Sequence, residues 1–514
     1  MKSLKCIVRF FLASLLLVGY VSCKPKEPEI PVTPPQNPDE KEKQKQEQLT
    51  KYRYVNQFLY DALSVYYLWI DEPTVISKME TWAQTDEPIA KVQSVKYSAD
   101  KWTMCTDDYK SFTSSVAGVE TTYGYDITLY WADSQHTAVC GIVTFVYADS
   151  PAEKAGLKRG DVIMTVNGKT LTADTYVDIV NNEMFNSSSC KLGLYDGRNL
   201  DLTSIKMYED PVLVSKVFDL GAKQVGYLCY VSFTLRSIPR LIDVCKEFKA
   251  AGVTDVILDL RYNGGGYIET EEALASMLAP EEDVLNGALY QTSVWNKSNG
   301  QDSSFFRTNF TYETSTGDYS KISTKGSNIS SGKKVNIYAI MTGGSASASE
   351  SILVGLIPFM NVTIVGEQSY GKYCSGTMLS AVDWYTGNIE VYRKYYGSKF
   401  DEYSKYADNW GAYIMYARFA DRDGNTPCMP DGFAPNYAAA DNPEDPTPLG
   451  DPKEQMLSVV LGIIEGNAPA ALPSTKASVF DDRKLEFQHR PANFGMHISG
   501  KVYPAKNLKT YCEK

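Results

Sequence analysis

The chain has 514 residues, 43% of them hydrophobic and 22% charged, enough apolar material for roughly two or three domains, and neither a disordered nor a fibrous composition. Its formal net charge is -11, which excludes a nucleic-acid partner, because phosphate binding needs clustered Lys and Arg to replace the released counterions.

Lys2, Lys5 and Arg9 precede an apolar run, Phe10 to Val18, too short to span a bilayer and suited to a signal peptide over residues 1–22. The run ends in Tyr20-Val21-Ser22-Cys23, which resembles the lipobox where bacterial lipoproteins are acylated, so Cys23 is the expected lipidation site. Export to a bacterial cell envelope follows, with the soluble domains in the periplasm or at the cell surface. Residues 24 to 48 repeat Pro, Glu, Lys and Gln and bury nothing, so 23–49 reads as anchor plus extended tether. The other cysteines downstream are scattered, with no C-x-x-C pair. Thiolate metal binding is therefore not expected, and Cys229 and Cys245 read as small buried hydrophobes.

Val55, Leu59, Ala62, Tyr66 and Trp69 recur at helical spacing, and residues 50–110 read as a small helical cap. From Tyr123 to about Met207 the pattern changes to short strands, with Ser150-Pro151-Ala152-Glu153-Lys154-Ala155-Gly156-Leu157-Lys158-Arg159-Gly160-Asp161 leading into a strand, Val162 to Val166, and an Asn167-Gly168 turn. This run closely resembles the PDZ domains of bacterial proteases, and 111–208 is assigned to one. Such domains add a peptide as an extra strand and hold its terminal carboxylate on backbone N–H groups. Gly124 and Tyr125, in the turn Thr122-Tyr123-Gly124-Tyr125, are the candidates for that contact.

Residues 209–467 read as an α/β domain. A strand, Val225 to Val231, a helix from Ser237 to Gly252 and a strand, Val256 to Leu260, imply parallel pairing. Two further strands, Val335 to Met341 and Val362 to Val365, also end in Gly-rich turns, and chemistry collects at such ends. A helix is expected from Pro452 to Glu465, and 468–514 is an extension without an assigned role. The three histidines, His136, His489 and His497, fall outside this core. HExxH and P-loop motifs are absent, so neither a metal nor a cofactor is expected.

The remaining chemistry is serine and lysine. Gly344-Ser345-Ala346-Ser347-Ala348-Ser349-Glu350 sits at a strand-to-helix turn, and Tyr370-Gly371-Lys372 follows the next strand. Each alone has a bland reading, an N-capped helix start and an exposed turn. Together with Asp259-Leu260-Arg261-Tyr262-Asn263-Gly264-Gly265-Gly266 and a 25-residue separation of Ser347 from Lys372, they resemble the C-terminal processing, or tail-specific, serine peptidases. That resemblance implies an α/β catalytic core of the ClpP/crotonase-like type, a β-rich PDZ domain and a small N-terminal helical region. It implies a Ser347–Lys372 dyad with an oxyanion hole from the N–H groups of Ala348 and Gly265, Glu350 and Tyr370 in support, and protein or peptide substrates recruited through the PDZ domain. Asp259 and Arg261 read as a structural ion pair. Where the family carries a glutamine four residues after the lysine, this chain has Gly376, leaving Tyr373, Ser375 or a water to hold the lysine. The competing reading is a catalytically inactive peptide-binding lipoprotein. An α/β-hydrolase lacks its Gly-x-Ser-x-Gly elbow here. Oligomeric state is not encoded in these patterns.

Overall fold

The computed structural model describes residues 38–442, 444–467, 484–485 and 496–499. The signal peptide and Cys23 lie outside them.

Helix α1, Pro38–Tyr66, buries Val55, Phe58, Leu59, Ala62, Leu63 and Tyr66 along one face. It corrects the tether: residues 38–49, read as extended, form the first turns of α1, exposed over 40–48 and braced by Gln46 Nε2 donating to Glu42 Oε1 at 2.9 Å. Glu, Lys and Gln are good helix formers, and a buried half supplies the nucleus from which such a segment propagates. Helices α2, Pro73–Glu80, and α3, Pro88–Val95, complete the cap locally. Its core also takes Trp384, Tyr385, Tyr392 and Phe400 from far along the chain, with Tyr392 Oη donating to Asp61 Oδ2 at 2.7 Å. Strand β1, Met104–Thr106, leaves the cap, and α4, Tyr109–Val116, follows.

The β-rich module begins and ends in a ribbon of β2, Val119–Thr122, antiparallel to a strand, Ile205–Tyr208, that returns to the core. Between them lie β3, Tyr125–Trp131; β4, Val139–Val146; β5, Val162–Val166; β6, Lys169–Thr170; β7, Ser189–Leu194; and β8, Asn199–Thr203; the returning strand is β9. The sheet order is β3-β4-β5-β7-β8. Asn167 and Gly168, both at positive φ of 52° and 76°, make the expected tight turn from β5 to β6.

The α/β core has a six-stranded sheet. Strand β10, Val212–Asp219, is antiparallel to β11, Gln224–Tyr230. Helix α5, Ile238–Ala250, carries the chain to β12, Asp255–Asp259, parallel to β11 as the pattern implied. Strand β13, Gly265–Tyr267, and α6, Ile268–Leu278, follow. Then come β14, Leu289–Trp295; β15, Gln301–Phe305; and the hairpin of β16, Asn309–Glu313, with β17, Tyr319–Ser323. Strand β18, Asn336–Met341, joins β12 in parallel and leads into α7, Ala348–Leu356. Strand β19, Val362–Gly366, lies parallel to β18.

A second sheet, not anticipated, is built from β20, Cys374–Ser380, β21, Gly411–Asp421, β14 and β15, with β1 on its flank. A short strand β22, Tyr437–Ala438, closes the parallel sheet, and α8, Gln455–Ile464, covers its far face. The C-terminal extension contributes β23, Met496–Ser499, between β13 and β20.

Arg261, fully buried, donates to Asp259 at 2.7 Å and to both oxygens of Glu454 at 2.7 and 2.9 Å. Arg159 of the β-rich module joins the cluster at Asp441, 2.9 Å away. Burial alone would raise the Asp441 carboxyl, but Arg159 and Arg261 override it and hold the group below its usual range. Removing one member of such a cluster costs about 3–5 kcal/mol, because it strands the partner charges.

Candidate active site

Strands β12, β18 and β19 are neighbours and parallel, so their C-terminal ends set three turns side by side. The first holds Arg261 to Gly265, the second Thr342 to Ser347, the third Glu367 to Lys372. Asn263 ties the first two together: its Nδ2 donates to Tyr230 O at 2.9 Å, and its carbonyl accepts from Ala346 N at 3.1 Å and Ser349 Oγ at 2.9 Å. Ser345 Oγ adds a bond to Leu260 O at 2.7 Å. These bonds explain Ser345 and Ser349 on either side of Ser347, since each satisfies a carbonyl of the neighbouring segment in a dry interior.

Ser347 stands just before α7 with φ 64° and ψ -108°, a left-handed conformation that a non-glycine residue adopts at a cost. The sharp turn aims its hydroxyl across to Lys372, whose Nζ lies 3.2 Å from Ser347 Oγ. Both side chains are fully buried. Nζ also reaches Cys374 O at 2.8 Å and Tyr413 Oη at 3.3 Å, and faces the Trp102 ring 5.5 Å from its centroid. Burial pulls the Lys372 ammonium down to about 8, partly opposed by Cys374, Asp100 and Glu350. A neutral lysine has two N–H bonds and one lone pair. With the N–H bonds on Cys374 O and Tyr413 Oη, the lone pair faces the serine hydroxyl.

Gly376 is the reason Tyr413 can stand there. A Cβ at this position would lie 2.3 Å from Tyr413 Cζ, so the ring fills the space that a side chain at 376 would claim. The holder of the lysine is thus Tyr413 with the Cys374 carbonyl, where the sequence had offered Tyr373, Ser375 or a water. Strand β21 carries no local signal of this role, because the register that brings Tyr413 opposite Met378 is a tertiary matter.

Glu350 does more than cap. Its carboxylate accepts from Ser347 N at 2.9 Å, Lys372 N at 2.9 Å, Gly371 N at 2.7 Å and Ser369 Oγ at 2.6 Å. Burial raises its pKa, and these four bonds oppose the rise. One carboxylate therefore fixes the serine turn against the lysine turn. Tyr370 contributes its backbone N–H, donated to Ser345 O at 3.0 Å.

The oxyanion candidates fare differently. Ala348 opens α7, and its N–H belongs to the positive end of the helix. Gly265 adopts φ 113°, but its N–H donates to Asn263 Oδ1 at 2.9 Å; in this arrangement it is committed to the protein.

In the β-rich module, Gly124 also departs from expectation. Its N–H donates to Thr122 Oγ1 at 2.9 Å, its carbonyl accepts from Tyr147 N, and a Cβ on it would fall 2.3 Å from Ser150 Cβ. The glycine is required by the close approach of Ser150, and its N–H is not offered to a carboxylate. Tyr125 is buried in register with Val146. His497, placed outside the core by the sequence, lies in β23 with its backbone opposite Gly266. Among the described residues no group of His, Cys, Asp and Glu could hold a metal, no cysteine forms a disulfide, and no helix is long and apolar enough to cross a membrane.

Residues 142–182 match the PDZ domain model, and residues 224–437, which include Ser347 and Lys372, match the model of Peptidase family S41. The class is thus a peptidase fold with a PDZ module. These two matches, in this order along the chain, are similar to the C-terminal processing serine peptidases with a PDZ domain. It is 24% identical over 257 residues to the carboxy-terminal processing protease CtpB of Bacillus subtilis, covering 49% of this chain and 47% of that one. Identity to the chloroplastic C-terminal processing peptidase of Tetradesmus obliquus is 26% over 325 residues, covering 59% and 62%. The chain thus spans about half to three-fifths of the length of these curated relatives. A crystal structure of a Bacteroides fragilis protein assigned to the S41 proteases superposes with a TM-score of 0.58 at 20% identity, over 80% of this chain and 98% of that one. At that identity the likeness is one of fold.

Proposed function

We propose that this chain is a serine endopeptidase in which Ser347 is the nucleophile and Lys372 the general base. The observation that carries the reading is the 3.2 Å contact between a fully buried Lys372 Nζ and Ser347 Oγ. Neutral Lys372 takes the Ser347 proton as Oγ attacks the scissile carbonyl, then gives it to the leaving amine; the Lys372 amine next deprotonates the water that attacks the acyl-enzyme, and its ammonium returns that proton to Ser347 Oγ as the acyl group leaves. The tetrahedral oxyanion is held by the Ala348 N–H and by that of Gly265, which must first leave Asn263 Oδ1. Substrates are extended protein or peptide segments recruited by the PDZ module, with β3 as the strand to which they add. A lipid on Cys23 holds the domains at the cell envelope.

The test is cleavage of an unfolded protein by residues 24–514 from about pH 6 to about pH 10, compared with Ser347→Ala and Lys372→Ala. Loss in both variants supports the dyad. Cleavage that survives Lys372→Ala assigns the base elsewhere, and no cleavage by the unaltered chain leaves the inactive peptide-binding lipoprotein.

A further inference from the structure

Two pieces of the C-terminal extension meet the two surfaces that a substrate peptide would use. Lys484 pairs antiparallel with Tyr130 at the edge of β3, and Leu485 N donates to Leu129 O at 3.2 Å. Leu485 is 4% exposed and belongs to the apolar cluster of Ile127, Leu129, Ile179 and Val180. β3 is otherwise the outer strand of its sheet, and an unpaired edge is where an extended peptide adds.

β23 then runs parallel to β13, Met496 opposite Gly265 and Ile498 opposite Tyr267, and on its other side pairs Ile498 with Gly376 and Ser499 with Thr377. It is the link between the glycine turn and the strand that follows Lys372. Met496 and Ile498 are 5% and 1% exposed. A Cβ on Gly265 would lie 2.3 Å from Met496 O and 3.0 Å from Ser347 Cβ, so the Met496 backbone passes against the glycine beside the nucleophile. Ser347 and Lys372 have no solvent exposure, and the Gly265 N–H is turned to Asn263.

We propose that Lys484-Leu485 and Met496–Ser499 are two tethered peptide ligands, the first of this chain's own PDZ edge and the second of its catalytic cleft, holding the site closed until a substrate strand displaces them. The inference rests on the peptidase reading for its regulatory meaning, and on backbone pairing for the occupancy itself. A tethered strand competes at a high effective concentration, so a substrate must offer pairing at both surfaces to enter, which selects long extended polypeptides over short ones.

The test compares residues 24–514 with a chain ending at Asn467 and with Met496→Asp/Ile498→Asp in the full chain, which dislodges the strand without deleting it. Expected are a rise of roughly 10- to 100-fold in kcat/KM for a short peptide substrate and faster labelling of Ser347 by a fluorophosphonate in both altered chains. A synthetic peptide of residues 482–500 should inhibit the shortened chain competitively. If the altered chains keep the native circular dichroism and labelling is no faster, the strand is structural and the proposal fails. Occupancy is measured apart from catalysis by anisotropy of the labelled peptide with Ser347→Ala backgrounds. Binding to the strand-displaced chain and none to the full chain supports the proposal even where neither cleaves, an outcome that would remove the peptidase reading alone; equal or absent binding overturns it. Should the shortened chain fail to fold, the double variant carries every one of these readouts.

Discussion

The serine–lysine turns and the Gly124 turn of the PDZ module were both read from short motifs, and they differ in how the interior treats them. At the first, a buried carboxylate, Glu350, gathers four donors and leaves Lys372 with acceptors for each proton it can carry. At the second, a glycine of the same outward character is used up by its own neighbours, Thr122 and Ser150. A motif names residues, but a site requires that their polar groups be aimed at something other than the protein.

The comparison is broken most severely at the base. Lys372→Met should lower kcat/KM by about a thousandfold or more, while thermal stability holds or rises, because a buried ammonium is replaced by an apolar chain of similar length; calorimetry beside cleavage assays checks both halves. Glu350→Gln comes next. An amide presents an NH2 to donors that need acceptors, so the two turns slip, with an expected loss of about 100-fold in kcat and little change in KM for a peptide substrate.

The pH profile sharpens the comparison further. As the proposed base, Lys372 works only when neutral, and burial brings it to about 8, so kcat/KM should climb with pH through about 8 to a plateau and fall tenfold per unit below it. Tyr413→Phe removes an acceptor of the ammonium. The charged form is then less stable, the midpoint of the profile moves to lower pH, and the plateau drops a few-fold as the amine loses its orientation. A midpoint that moves upward or not at all would deny Tyr413 that role.

The smallest effect is expected at the PDZ turn. Gly124→Ala meets positive φ and Ser150, so the module should lose about 1 kcal/mol or somewhat more, seen as an earlier PDZ transition in hydrogen exchange. Cleavage of a short peptide should be nearly unchanged.

The parallel strands and their Gly-rich ends were legible because apolar runs punctuated by glycine have few other uses, and they arrived within a residue or two of expectation at β11, β12, β18 and β19. The tether was misread because composition counts burial and misses helix propagation from a neighbouring buried segment. The second sheet, the aromatic half of the cap and Tyr413 come from residues 289–421 pairing with distant strands.

The sequence by itself determined the chemistry available to this protein: one serine and one lysine at fixed separation, each at a strand end, with a carboxylate three residues past the serine. Only the tertiary structure decided which groups the lysine touches, that the Gly265 N–H is held by Asn263, and that Met496–Ser499 pairs with the strand Gly265–Tyr267. Strand ends and turns follow from local periodicity and sterics, whereas pairing across hundreds of residues depends on which edges remain unfilled once the core has packed.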